Sequence, residues 1–236
     1  MIDVGGTNVK ILATGEKERR KLPSGPGMTP AKMVVGVRKL AGSWEYDAVS
    51  IGYPGLVLEG RVAVDPFNLA RGWTRFDFAG AFGRPVKILN DAAMQALGSY
   101  KGGTLLFLGL GTGLGAALVA NGVVIPMELG HLAYGKATVE DYVGLRGLKK
   151  LGKKKWRRQV ADIVERMMVA LHPSDVVLGG GNAEKLKRLP EGCRLGSNAN
   201  AFVGGFRLWE AGKRWSVASG KPTPPRIATT RKGRHA

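Results

Sequence analysis

Met1-Ile2-Asp3-Val4-Gly5-Gly6-Thr7-Asn8-Val9-Lys10 is the stretch on which the reading of this 236-residue chain turns. It reads as a short strand carrying an acid into a glycine turn, with a hydroxyl, an amide and a lysine just beyond. Gly5 and Gly6 leave backbone N–H groups free to approach a phosphate closely, and Thr7, Asn8 and Lys10 can donate further. About a hundred residues later Gly109-Leu110-Gly111-Thr112-Gly113-Leu114-Gly115 repeats that chemistry, and Asn90-Asp91-Ala92 lies between the two. Two glycine-rich cradles with an acid between them predict phosphoryl transfer.

Neither familiar nucleotide loop fits. A dinucleotide fingerprint needs glycine at 114 after those at 109 and 111, where Leu114 stands, and no G-x-x-x-x-G-K-[ST] run occurs. Gly111-Thr112-Gly113 alone could equally be a plain hairpin bend.

Around these turns the first hundred residues alternate strand and helix signals. Residues 9–14 read as a strand paired with the opening one, and Thr29-Pro30 as a cap with proline in the first helical turn. Met33, Val37 and Leu40 then give that helix one buried face. Ala48–Tyr53 is predicted as a strand, as is Val86–Leu89, which delivers Asn90-Asp91 to its carboxyl end. A helix follows and runs to Gly102-Gly103, the predicted domain boundary. Beyond it, strands are expected at Leu105–Leu110, Leu114–Ala120 and Val123–Ile125, the last pair joined by Asn121-Gly122. Trp156, Val160, Ile163, Met167 and Leu171 mark one face of a long helix. Val176–Leu178 should empty into the Gly179-Gly180-Gly181-Asn182 turn, with another helix after it. Phe202, Phe206 and Trp209 predict a last amphipathic helix. The expected organisation is an α/β domain over 1–101, joined by a C-terminal helix over 200–214, and a second α/β domain over 102–199. Residues 219–236, with three prolines and five basic side chains, read as a disordered basic tail. The duplicated strand–glycine–strand pattern hints at two related halves.

The composition narrows the function classes. A formal net charge of +18 points to a polyanionic partner, the alternative being a solubility bias of the host proteome. No stretch approaches the ~18–20 apolar residues of a membrane span, and no signal peptide is evident. Cys193 is the only cysteine, which rules out an internal disulfide and any cysteine-rich zinc site. A cytoplasmic protein fits best.

Asp91 falls where a strand ends and a helix begins, the usual position of functional groups in open α/β sheets. Asn90 can orient a hydroxyl while the Asp91 carboxylate accepts its proton. The competing reading is that Asn-Asp merely caps the next helix; the two flanking turns favour the base. Glu128, His131 and Glu140 form a second polar group, suited to accepting from and donating to a polyhydroxylated ligand. Zinc ligation by His131 is disfavoured, since only His172 and His235 remain in the chain.

Seven motifs together resemble the ROK family of sugar kinases, in the family's order. They are Asp3-Val4-Gly5-Gly6-Thr7, Gly52-Tyr53-Pro54-Gly55, Asn68-Leu69 with Trp73, Asn90-Asp91-Ala92, Gly109–Gly115, Glu128-Leu129-Gly130-His131 and Val139-Glu140-Asp141-Tyr142. The resemblance covers residues 1–210 and implies the actin-like, hexokinase-type (ribonuclease H-like) α/β fold, two domains hinged around an interdomain cleft. By resemblance, Asp91 is the base for the sugar 6-hydroxyl, and Asn68, Asn90, Glu128, His131 and Glu140 match the sugar-binding positions. Asp3 and the turn Gly5–Thr7 match the first phosphate motif, with Asp3 near Mg2+ through water, and Gly111–Gly113 match the second. Gly179, Gly180, Gly181 and Asn182 match the turn that borders adenosine in ATP-binding members. The family also suggests a homodimer.

The chain departs from the family between the histidine and the second glutamate. Most members carry a cysteine-rich zinc loop there; here only Leu132–Val139 intervenes, with no cysteine and no zinc site expected. That short connection resembles the polyphosphate glucokinase branch, a transferase activity of carbohydrate phosphorylation whose donor is inorganic polyphosphate, often with ATP second. The regulator branch, with its N-terminal DNA-binding domain, is not matched, and no specific nucleic acid or membrane partner is expected. The opening strand is unusually short, which leaves open a start codon upstream of Met1.

Lys149, Lys150, Lys153, Lys154, Lys155, Arg157 and Arg158 crowd into ten positions, and Lys185, Lys187 and Arg188 follow the Gly179–Asn182 turn. A linear polyanion would suit such a track; a solvated helix face is the plainer reading. The expected reaction is transfer of a terminal phosphoryl group from polyphosphate or ATP to glucose. An ATP-only hexose kinase and a non-catalytic sugar sensor of the same fold are the alternatives.

Overall fold

The computed structural model describes residues 1–210 and 215–218, so the expected tail over 219–236 and the end of the expected 200–214 helix lie outside the described residues. Strands β1 (Ile2–Val4), β2 (Asn8–Ile11) and β3 (Arg20–Pro23) form a meander, followed by helix α1 (Pro30–Ala41) and strand β4 (Val49–Tyr53). A small hairpin, β5 (Val57–Leu58) and β6 (Arg61–Val62), and a short helix α2 (Phe78–Phe82) lead to β7 (Val86–Asn90) and helix α3 (Asp91–Ser99). Next come β8 (Thr104–Leu110), β9 (Leu114–Ala120) and β10 (Val123–Met127). A second small hairpin, β11 (Ala133–Tyr134) and β12 (Ala137–Thr138), precedes α4 (Val139–Val143) and the long α5 (Leu145–Leu171). The chain closes with β13 (Asp175–Gly179), β14 (Cys193–Leu195), α6 (Asn200–Arg207) and β15 (Ser216–Val217).

The two large sheets have the same plan. The first runs β3-β2-β1-β4-β7, and the second contains β10-β9-β8-β13-β14, with β15 added beside β10. In each, three antiparallel strands are extended by two parallel strands on the side of the meander's first strand. The two glycine turns therefore occupy equivalent places, β1 to β2 and β8 to β9. This is the structural basis of the duplicated pattern in the sequence.

Several expectations shift by a few residues for local reasons. The strand expected over 9–14 is Asn8–Ile11, and it pairs a third strand, β3, that no apolar alternation announces in Arg-Lys-Leu-Pro. Thr29 caps α1 as expected, accepting from Lys32 N–H at 3.2 Å. Asn121 and Gly122 both take positive φ (50° and 77°), the geometry a tight hairpin requires. No α-helix follows the Gly179–Asn182 turn; a single 3-10 turn, Ala183–Lys185, stands there. The long helix is broken at Gly152, where φ 70° and ψ 160° interrupt the helical run.

Helix α3 lies at the centre of the molecule. Ala92, Ala93, Met94, Ala96 and Leu97 are buried with Leu105, Phe107, Ala117 and Val119 of the second sheet and with Ala201 and Leu208 at the α6 end. Its small residues permit close approach. A Cβ on Gly98 would overlap the Asn200 carbonyl, and one on Gly204 the Met94 carbonyl, so α3 and α6 touch backbone to backbone. Polar contacts lock the crossing. Asn200 Nδ2 donates to Ser99 Oγ at 2.8 Å, and Arg207 donates to the Leu97 and Tyr100 carbonyls at the end of α3. Ser50 Oγ donates to the Gly205 carbonyl at 2.6 Å, tying α6 to β4.

Substituting either crossing glycine should therefore force the helices apart. Gly98→Ala and Gly204→Ala are each expected to lower unfolding stability by about 1–3 kcal/mol in denaturant melts. Gly27→Ala, where an added Cβ meets nothing, should leave the melt unchanged.

Candidate active site

Both glycine turns are shaped by bonds made behind them. In the first, Gly5 N–H donates to the Asn8 carbonyl at 3.0 Å, and a Cβ on Gly5 would come within 2.8 Å of that oxygen. Ser24, at the end of β3, donates from Oγ to the Gly5 carbonyl at 2.6 Å and from N–H to the Thr7 carbonyl at 2.9 Å. In the second, Leu145 N–H reaches the Gly111 and Thr112 carbonyls at 3.1 and 3.0 Å, and Gly111 N–H donates to the Gly113 carbonyl at 3.1 Å. With the Gly5 and Gly111 N–H groups also engaged within their turns, the N–H groups of Gly6 and Thr7 and of Thr112 and Gly113 are what the turns have left for an anion.

The turns face one cleft of about 370 Å³. Gly5 and Gly6 line it on one side, Gly111, Thr112 and Gly113 on the other, with Asp91 between them. Asn68, Glu140 and Gly180 complete the set of expected residues on its wall. Thr7, Asn8 and Lys10 flank the first turn rather than lining the cleft. Lys10 Nζ is 3.4 Å from Asp3 Oδ2, so this ammonium is paired with the strand's own acid.

Asp91 and Asn90 divide the two roles that the sequence left open between them. Asn90 caps α3, its Oδ1 accepting from Ala93 N–H at 2.7 Å, and its side chain is not on the cleft wall. Asp91 is the first helical residue, with Oδ1 2.7 Å from Ala92 N–H. Its pKa is pushed up to about 6, first by burial and then by the neighbouring Asp3 charge, with backbone N–H groups at Ala92 and Asp91 opposing and Glu128 adding a smaller upward push. Asp3 is likewise raised by burial, against the lowering effect of Lys10 and Arg19.

The remaining polar group sits at the cleft's lip. The 3-10 turn Leu129–His131 and the first turn of α4 bring His131 between two carboxylates, Nδ1 3.9 Å from Glu128 Oε2 and Nε2 4.0 Å from Glu140 Oε1. Glu128 and His131 are exposed, so these pairs are open to a ligand rather than holding the fold together. Glu140 packs against the second turn: a Cβ on Gly113 would overlap its Oε2. Across the cleft Asn68 lies against Gly6, where an added Cβ would come within 3.2 Å of Asn68 Cβ. Its loop is pinned by Asp65, which accepts from Gly72 and Trp73 N–H at 3.1 and 2.8 Å, and by Tyr53, whose hydroxyl donates to the Val64 carbonyl at 2.9 Å. The buried Trp73 and Tyr53 rings pack 5.6 Å apart. Thus the Gly52–Gly55 and Trp73 motifs brace the loop that presents Asn68.

Behind the second turn, Gly180 takes φ 80° and passes within 2.6 Å of the Leu110 carbonyl, measured to an added Cβ. Asn182 is 6% exposed and donates from Nδ2 to the Gly111 carbonyl at 2.9 Å. Of the four residues Gly179–Asn182, only Gly180 is on the cleft wall. Two functional candidates escaped the sequence reading. Gln95 lines the cleft one helical turn beyond Asp91, and its buried Oε1 has no hydrogen-bond partner among the described residues. The i+4 spacing from Asp91 was the available signal. Ser24, which anchors the first turn, carries no such signal.

The oxygen donors present suit a hard divalent cation. Asp3 and Asp91 place two partly buried, mutually repelling carboxylates beside the turns, and Mg2+ commonly binds one or two carboxylates together with waters and substrate phosphates. Among the described residues no group of three or more His, Cys, Asp or Glu side chains is arranged to enclose a metal. No described helix is long and apolar enough to cross a membrane.

A duplicated strand–turn–strand plan around a cleft with an acid at its floor defines the actin-like, hexokinase-type class of phosphotransferase folds. Solved structures agree. The inorganic polyphosphate/ATP-glucomannokinase of Arthrobacter sp. strain KM superposes with a TM-score of 0.71 at 25% identity, over 86% of this chain and 94% of that one. The ROK hexokinase of Thermus thermophilus gives 0.68 at 20% identity, over 87% and 97%, and so shares the fold. In sequence, the polyphosphate glucokinase of Mycobacterium tuberculosis (strain ATCC 25618 / H37Rv) is 30% identical over 210 residues, covering 78% of this chain and 77% of its own. The ROK family signature matches residues 1–141, and the chain belongs to the ROK family. It is a kinase.

The Asp91 environment gives a direct test. Its side-chain carboxyl, followed by NMR, should titrate with a midpoint near pH 6, neutral below and charged above. In Asp3→Asn the midpoint should fall, because a neighbouring negative charge has been removed; an unchanged midpoint would dissociate the two acids.

Proposed function

We propose that the chain transfers the terminal phosphoryl group of inorganic polyphosphate, and also of ATP, to the 6-hydroxyl of glucose, giving glucose 6-phosphate. The observation that carries this reading is the Asp91 carboxylate on the wall of one cleft shared by both glycine turns. With a pKa near 6 it is mostly ionised at neutral pH yet still basic enough to take a proton.

In this reading Asn68 and Glu140 hold the sugar from opposite walls, with Glu128 and His131 at the lip. Asn90, its oxygen engaged in the helix cap, fixes where Asp91 stands beside the sugar. Asp91 accepts the 6-hydroxyl proton as the sugar oxygen attacks the terminal phosphorus and the bond to the leaving phosphate breaks. The N–H groups of Gly6, Thr112 and Gly113, with the Thr112 hydroxyl, stabilise the charge on the transferring group, and Thr7 and Asn8 shape the first turn from its flank. Lys10 acts by neutralising Asp3. Mg2+, held by Asp3 through water, would add charge neutralisation on the phosphates. When ATP is the donor, Gly180 of the Gly179–Asn182 turn borders its adenosine.

The donor preference draws on three supports. The curated relative quoted above is a polyphosphate glucokinase, the solved Arthrobacter relative has polyphosphate and ATP in its name, and the chain carries a net charge of +18. Lys149, Lys150, Lys153, Lys154, Lys155 and Arg158 are all exposed on α5. The same reading treats 1–101 with the helix beginning at 200 as one lobe and 102–199 as the other, closing over the substrates. It also treats the enzyme as a cytoplasmic homodimer.

Asp91→Asn should lower kcat by about 10²–10⁴-fold while calorimetry still detects glucose binding; near-normal turnover removes Asp91 as the base. Glucose 6-phosphate formation assayed with polyphosphate and with ATP, at two salt concentrations, tests the donor. Turnover with both is expected, with the polyphosphate rate falling more steeply in salt. Neutralising Lys153, Lys154 and Lys155 should raise KM for long polyphosphate more than for ATP. Activity with ATP alone leaves an ATP-specific hexose kinase, and none with either donor leaves a sugar sensor.

A further inference from the structure

We infer that Asn182 is a positioning residue for the second glycine turn and that Lys185 acts through it, an inference that rests on the phosphoryl-transfer reading of that turn. Four bonds hold Asn182, one of them from the Lys185 N–H to its carbonyl at 3.0 Å. Its N–H donates to the Leu110 carbonyl at 2.9 Å, its Nδ2 donates to the Gly111 carbonyl at 2.9 Å, and its Oδ1 accepts from Lys185 Nζ. The Lys185 carbonyl accepts in turn from Arg157 Nε at 2.8 Å, which fixes the short segment to α5.

The chemistry of an amide makes this arrangement directional. An ammonium can only donate, so the Asn182 end that meets Lys185 must be the oxygen, and the NH2 end is thereby aimed at Gly111. The Gly111 carbonyl is thus held away from the cleft by two donors, Asn182 Nδ2 and Leu145 N–H. Were it to rotate inwards, a carbonyl oxygen would face the phosphate that the turn is built to receive. Neither Asn182 nor Lys185 is on the cleft wall, so both reach the donor through Gly111. Preorganised dipoles of this kind need no rearrangement during the reaction.

The test uses Asn182→Asp, Asn182→Ala, Lys185→Met and the double variant Asn182→Ala/Lys185→Met in the full chain. Inorganic tripolyphosphate binding is measured by calorimetry, and kcat and KM with polyphosphate and with ATP. Asn182→Asp is nearly isosteric and still accepts from Lys185, but it cannot donate to Gly111. It should weaken tripolyphosphate binding and raise KM for both donors about tenfold, with the KM for glucose and the melting temperature unchanged. Asn182→Ala should match it. Lys185→Met should give a smaller loss that vanishes in the Asn182→Ala background. Equal Lys185→Met losses in both backgrounds would show that Lys185 meets the donor itself and overturn the relay. A loss confined to ATP would make Asn182 a nucleoside contact instead. If the wild type binds tripolyphosphate in this Asn182-dependent way without phosphorylating glucose, the positioning role stands and the kinase reading of the site fails. No tripolyphosphate binding by the wild type overturns the inference.

Discussion

Burial of helix α3 on every side is the constraint from which the rest of this structure follows. Its alanines let β8 and β9 approach on one side, and Gly98 lets α6 approach on another. A helix packed this tightly has little freedom to slide, and its first residue is Asp91. Even the second glycine turn is fitted to it, since a Cβ on Gly115 would come within 2.9 Å of Ala92 Cβ. The acid's position is thereby set by packing along nine residues, not by its own contacts.

The same constraint explains the electrostatics. Placing Asp91 at the N-terminus of a buried helix gives its carboxylate favourable N–H groups, yet the surrounding protein and Asp3 push the other way. The resulting balance leaves a group that changes charge about two pH units above an ordinary aspartate. Lys10 keeps Asp3 from compounding the repulsion further. A phosphate entering between the turns meets N–H groups at both ends and acids at the floor, so a cation accompanying the phosphate would relieve the remaining repulsion.

The order of motifs was legible because each combines residue types that few other local structures need together. Gly5-Gly6-Thr7 and Gly111-Thr112-Gly113 announce themselves, and Asn121-Gly122 names its turn. What sequence could not reveal is which of two neighbouring polar residues faces the ligand. Asn90 and Asp91 differ by one position, and only the cap geometry assigns Asn90 to the helix and Asp91 to the cleft. Strand β3 was missed because Arg-Lys-Leu-Pro has one strongly apolar residue; its place comes from pairing with β2. Ser24 acts through Gly5 and Thr7, far from it in the sequence, and only the i+4 spacing from Asp91 points to Gln95. Asn182 looked like part of a ligand-binding turn, while its side chain bonds to the neighbouring strand turn.

The interruption of α5 at Gly152 gives the second turn a particular mechanical character. Leu145, at the head of the helix, is bonded to the turn, whereas the part beyond the break is anchored by the buried Trp156, whose Nε1 donates to the Val143 carbonyl at 2.8 Å. A positive φ at Gly152 is a conformation glycine adopts freely and other residues resist. The break redirects the helix while Val143 and Leu148 before it and Trp156 and Val160 after it stay in one buried cluster. In engineering terms Gly152 is a corner bracket: it sets the angle between two helical segments, and load on the turn passes through Leu145, Val143 and Trp156 into one core.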